Sequence, residues 1–121
     1  MNARAPRPGS EDCQRRLLDL ADTPPGWLDG EGEPVTPEAL DRAGAILAAL
    51  EDRGVARPGV FPTPSGGVNL EYGYPGADVE IPPSADDPME GFAEALDDIV
   101  PIGQVSAAVD FMIANTSAPG V

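Results

Sequence analysis

The chain contains no histidine, no lysine and a single cysteine, Cys13, among its 121 residues. Without histidine the commonest general base and metal ligand is missing, so neither a Ser-His-Asp nor a Cys-His constellation can be assembled. One cysteine cannot close an intramolecular disulfide, which excludes a disulfide-stapled scaffold. As a nucleophile Cys13 would need a cation to lower its pKa; its helical phase instead places it on an apolar stripe, as a buried, inert thiol. No apolar run approaches the roughly 20 residues of a membrane span, and "MNARAPRPGSEDCQRR" has no apolar signal-peptide core. The expectation is a cytoplasmic protein with no membrane partner, no metal and no other cofactor.

Positive charge is nearly as scarce. There are 21 acidic residues against seven basic ones, for a formal net charge of −14. All seven bases are arginines and none lies beyond Arg57, so residues 58–121 carry acids alone. Such a surface repels nucleic acid phosphates and anionic lipids, whose binding depends on Lys and Arg. It attracts a basic protein, and it also simply keeps a small domain soluble.

Glycine and proline, by contrast, are abundant at 14 and 15 residues. They cluster between periodic apolar segments and so punctuate a fold. Residues 1–9 read as a flexible basic arm. Ser10 then caps a short helix with Cys13, Leu17, Leu20 and Ala21 on one face, stopped near Pro24 and Pro25. The loop 24–35 holds the only tryptophan, Trp27, expected to plug the edge of the core. Its "DGEGE" fails as a calcium loop, because the twelfth position is Leu40 instead of glutamate.

"TPEALDRAGAILAALEDRG" is the clearest element. Thr36 is the N-cap, Pro37 the first helical residue and Gly54 the terminator, with Leu40, Ala43, Ile46, Leu47 and Leu50 as the apolar stripe. From Val60 the period changes to two: Val68, Leu70 and Tyr72 alternate with Asn69 and Glu71, and Val79 and Ile81 with Asp78 and Glu80. This predicts an α+β fold in which the helix packs on a three-stranded antiparallel meander. Asp87, Pro88 and Glu90 form a capping-box signature, so 84–100 is expected to be helical, with Met89, Phe92, Leu96 and Ile99 on one face. Residues 102–117 read as a further helix whose Val/Ile/Phe content also permits a strand. The expected organisation is an arm (1–9), an α+β core (10–83) and a C-terminal helical segment (84–121).

The run "GWLDGEGEPVTPEALDRAGAILAAL" followed by "PGVFPTPSGGVNLEY" resembles a family of small, largely uncharacterised bacterial proteins. Their shared pattern is a tryptophan-led start, a Pro-led helix and P-x-V-x-P-T-P-x-G-G-V-x-L-E plus an aromatic residue. The resemblance covers residues 26 to about 81 and falls on Trp27, Gly30, Pro37, Ala39, Pro58, Pro62, Gly67, Leu70 and Glu71. Tyr72 stands where the family usually has tryptophan, and 84–121 look like an addition. The resemblance implies a shared fold and leaves activity open.

The double glycine invites comparison with a phosphate-binding loop. Such a loop runs from a strand through glycines into a helix N-terminus with a following lysine or hydroxyl residue. Here a strand follows the glycines, no lysine exists and the surroundings are anionic, so Gly66 and Gly67 read as a chain reversal. Glu71 and Glu80 share one sheet face, where paired carboxylates could serve acid-base work but are more commonly a solvated surface. The expected function is a non-enzymatic acidic interaction module of the antitoxin, immunity or inhibitor type, binding a basic protein through Asn69, Glu71, Asp78, Glu80, Asp97 and Asp98. Trp27, Gly66, Gly67, Leu70 and Tyr72 are its structural residues, and uncovered sheet edges leave room for a homo-oligomer. The alternative is a structural subunit of a phage or bacterial assembly, whose terminal segments drape onto its neighbours.

Overall fold

A computed structural model of the chain describes residues 10–72, 76–93, 96 and 98–115. The arm 1–9, Asp97 and the Cys13 side chain lie outside what is described. Helix α1 (Ser10–Ala21) leads into a loop and helix α2 (Pro37–Asp52). Five strands follow, β1 (Gly59–Pro62), β2 (Val68–Glu71), β3 (Ala77–Ile81), β4 (Met89–Ala93) and β5 (Asp98–Ile102), before helix α3 (Val105–Asn115). The strands form one antiparallel sheet in sequence order, β1-β2-β3-β4-β5.

Helix α2 forms as its sequence dictates. The Thr36 hydroxyl accepts from the Ala39 amide at 3.1 Å, and Ala39, Ala43, Ile46, Leu47 and Leu50 are buried. That stripe covers the sheet face built from Val60, Val68, Leu70, Val79 and Ile81, with Met89 and Ile102 beyond. Each fully buried aliphatic side chain contributes about 1.5–3 kcal/mol of transfer free energy, so this single layer dominates the favourable side of folding. Helix α3 closes the other half of the same face with Ala108, Val109 and Met112. Leu20 anchors α1 to the same core, with Leu17 packed beside it.

The sheet has five strands, not three, and 84–100 is not a helix. In "MEGFA" burial alternates, with Met89, Gly91 and Ala93 inside and Glu90 and Phe92 toward solvent, which is the period of a strand. A glycine in the middle of a helix costs roughly 1 kcal/mol relative to alanine. Without β4, β3 would leave a row of backbone groups unpaired. The apparent capping box is consumed otherwise: Arg42 of α2 donates to the carbonyl oxygens of Asp87, at 2.8 Å, and of Ala85, holding 84–88 as a connection. Met89, Phe92 and Ile99 therefore do not share a helical face. The C-terminal helix is confirmed but begins at Val105, because 98–102 complete the sheet.

The double glycine sits where three segments cross. Gly66 has φ +96°, and its amide donates to the Thr63 carbonyl at 3.0 Å. The buried Thr63 hydroxyl in turn accepts from the Gly67 amide at 2.9 Å. Against this turn lies the entry to α2: Glu33 and Thr36 donate their amides to the carbonyls of Pro64 and Gly66, at 2.9 and 3.0 Å. The Thr36 hydroxyl also donates to the Pro83 carbonyl at 2.7 Å, tying in the exit of β3. A Cβ on Gly67 would stand 2.0 Å from the Ile81 carbonyl oxygen. Alanine at 67 thus overlaps backbone, whereas at Gly103 a Cβ meets nothing within 4 Å. Gly67→Ala is expected to cost about 3 kcal/mol or more in urea unfolding, while Gly103→Ala stays within about 1 kcal/mol of the unmodified chain.

Candidate functional site

Helices cover one face of the sheet, and among the described residues none covers the other. Strand register places the outward side chains in two ranks. One runs Gly59, Glu71, Asp78, Phe92, Ile99; the other runs Phe61, Asn69, Glu80, Glu90, Pro101. Four of the six residues expected to meet a partner, Asn69, Glu71, Asp78 and Glu80, are thus immediate neighbours on β2 and β3. Asp98 is exposed at the start of β5, where its carboxylate accepts from the Ile99 amide at 2.8 Å.

The electrostatics of this face are unusual for a sheet. Glu71 lies opposite Asp78, and Glu80 opposite Glu90. Glu71–Asp78 occupies a non-hydrogen-bonded position, the closer of the two antiparallel spacings, since the pairs on either side of it carry the ladder. Like charges directly opposite one another on adjacent strands destabilise the sheet. Asn69 offsets part of this by donating to Glu71 Oε2 at 2.7 Å. No strand of the sheet contributes an arginine or lysine to the face. Around the acids stand apolar groups: Phe61 on β1 is 44% exposed, and on the far side Ile99 is 58% exposed beside Phe92. Glu90 and this apolar rim escape a sequence reading that makes 84–100 helical; the alternation of "MEGFA" was the available signal.

The sheet edges are less open than expected. Alternation along the ladders turns the backbone groups of Val60 and Pro62 outward on β1, and those of Ile99 and Pro101 outward on β5. The Val60 carbonyl accepts from Arg16 Nε at 2.8 Å, and the Ile99 amide is held by Asp98. Pro62 and Pro101 have no N–H to offer. Proline and charge at edge positions are the usual means of preventing strand addition, so neither edge is as open as a bare meander would leave it.

The residues assigned structural roles divide. Leu70 is fully buried, and Tyr72 is buried with its hydroxyl donating to the Ala56 carbonyl, which fastens the end of β2 to the segment after α2. Trp27 does not enter the core. It stays half-buried, its Nε1–H donating to the Glu33 carbonyl at 2.8 Å, and its ring lies over Gly32. Beneath it Leu28 and Glu31 exchange both backbone hydrogen bonds around Asp29 (φ 51°) and Gly30 (φ 91°). That is the two-residue turn with both central φ angles positive that Asp-Gly favours, so "DGEGE" is a miniature hairpin.

Among the described residues no group of three or more Asp, Glu, Cys or His side chains is arranged to hold a metal ion, and no helix is long and apolar enough to cross a membrane. Comparison with known proteins returned no match to a family model, a curated protein or a solved structure.

The opposed glutamates make a direct prediction. Glu90→Gln removes one like-charge pair and is expected to stabilise the chain by a few tenths of a kcal/mol, about 0.2–1, in urea unfolding at low salt. The gain should shrink in molar salt, where the Debye length falls to roughly 3 Å.

Proposed function

We propose that the protein is a non-enzymatic interaction module of the antitoxin, immunity or inhibitor type, and that its bare sheet face docks a basic protein. The observation that carries this reading is that strand register sets acid opposite acid, Glu71 with Asp78 and Glu80 with Glu90, on a face that nothing in the described fold covers. Solubility alone needs no such pairing, because alternating or neutral polar residues serve it without repulsion across the ladder. Lysines or arginines of a basic partner would be drawn to these opposed acids. Phe61, Phe92 and Ile99 at the rim supply the apolar contacts that a purely charged surface lacks.

Five strands at about 4.8 Å spacing span only about 19 Å, and a typical partner footprint is about 800 Å². A partner would accordingly reach onto the adjoining loops, including the acidic hairpin at Asp29 to Glu33.

The alternative subunit reading draws on the apolar character of residues 101–121. Ile102, Ala108, Val109 and Met112 are buried in the chain's own core, which accounts for much of that character within one molecule.

The test is affinity capture from the native host with two baits, the unmodified chain and the variant E71Q/D78N/E80Q/E90Q. The expected result is a basic protein held by the first, released by raised salt and absent from the second. The same proteins on both baits would contradict the proposal.

A further inference from the structure

Of the chain's seven arginines, five are engaged inside the described fold. Arg16 donates to the Val60 carbonyl, Arg42 to those of Ala85 and Asp87, and Arg53 stands 3.5 Å from Asp110 of α3. Arg15 and Arg57 have partners of their own within the chain. The other two, Arg4 and Arg7, belong to "MNARAPRPG", a stretch with no acid in it. Residues 1–9 thus carry the positive charge that the described contacts do not use, while the strands of the bare sheet face supply none.

The point at which this arm joins the fold brings it to that face. It meets α1 at Ser10, six residues or about 9 Å of helix before Arg16. Arg16 touches Val60 of β1, the edge strand, so the arm leaves the fold beside that edge. From there β3 is two strand spacings away, about 10 Å. Proline at positions 6 and 8 favours extended backbone, which covers about 3.3 Å per residue. Arg7 then reaches about 10 Å from Ser10 and Arg4 about 20 Å. That is enough to turn the edge and meet Glu71 on β2 and Glu80 on β3, both exposed.

Phe61 stands at the edge on this route, 44% exposed, its ring lying over Gly59. Proline-bearing extended segments dock on exposed aromatic rings. The face therefore matches the arm in apolar character as well as in sign of charge.

We propose that residues 1–9 turn back around β1 and cover the β1–β3 part of their own chain's bare face, Arg4 and Arg7 pairing with Glu71 and Glu80 while Pro6 and Pro8 lie against Phe61. Each exposed pair is weak alone, but a nine-residue tether holds the arm at an effective concentration on the order of mM. A basic partner has to displace this cover, so its apparent affinity falls with the fraction of chains left open. That regulatory consequence rests on the face being a partner's dock; the cover itself does not.

Carboxylate labelling of the isolated full chain at low salt, compared with R4Q/R7Q and R4K/R7K, tests it. Glu71 and Glu80 are expected to label about twofold faster or more in R4Q/R7Q, at an unchanged melting temperature and with Asp41 and Asp52 of α2 unaffected. R4K/R7K should keep the protection, and molar salt should abolish the difference between the chains. Equal labelling of Glu71 and Glu80 in the unmodified chain and R4Q/R7Q would overturn the proposal. So would protection that appears only as chain concentration rises, which would give the face to the arm of a second copy. The measurement needs no partner, so its failure and the failure of the capture experiment are separate results.

Discussion

The close passage of Gly67 beneath the Ile81 carbonyl is the contact on which the arrangement turns. At that point the β1–β2 turn, the end of β3 and the entry to α2 come within hydrogen-bonding reach of one another, and Thr36 and Thr63 supply the hydroxyls that stitch them together. Because the N-cap of α2 is fastened to the sheet, the helix has one place to lie, and its stripe of Ala39, Ala43, Ile46, Leu47 and Leu50 falls on the same side of every strand. No described helix lies on the opposite side. The one-sided character of the sheet, and with it the exposed acidic face, follows from this crossing.

A one-sided sheet must manage its edges and its bare surface. The edges are managed by proline at Pro62 and Pro101, by the Arg16 contact to Val60 and by the Asp98 contact to the Ile99 amide. The bare surface is treated differently. Acids are set opposite acids across β2, β3 and β4. Opposed acids are a choice that sheet folding does not itself require. The antitoxin, immunity or inhibitor reading rests on that contrast.

Much of this was legible in the sequence. Thr36-Pro37 and Gly54 marked the ends of α2, and the period-two alternation of 68–72 and 78–81 placed Asn69, Glu71, Asp78 and Glu80 on one face. The failure at 84–100 has a local cause. Asp87-Pro88-x-Glu90 satisfies every local rule for a helix start, and Met89, Phe92, Leu96 and Ile99 fit a helical stripe equally well. What decides the outcome is non-local: the Arg42 guanidinium collects the carbonyls of Ala85 and Asp87, and β3 requires a neighbour. Trp27 is placed by its own loop. Its size suggested the edge of the core, and the Asp29-Gly30 turn folds its own loop tightly enough to give the half-buried ring a seat on Gly32.

The central claim, that the uncovered sheet face is the surface that meets a partner, is tested most directly by carboxylate footprinting of the chain alone and in its captured complex. The account predicts that Glu71, Asp78, Glu80 and Glu90 lose reactivity in the complex while Asp41 and Asp52 on the solvent side of α2 keep theirs. Undiminished labelling of the four sheet carboxylates, or protection confined to α2, would contradict it.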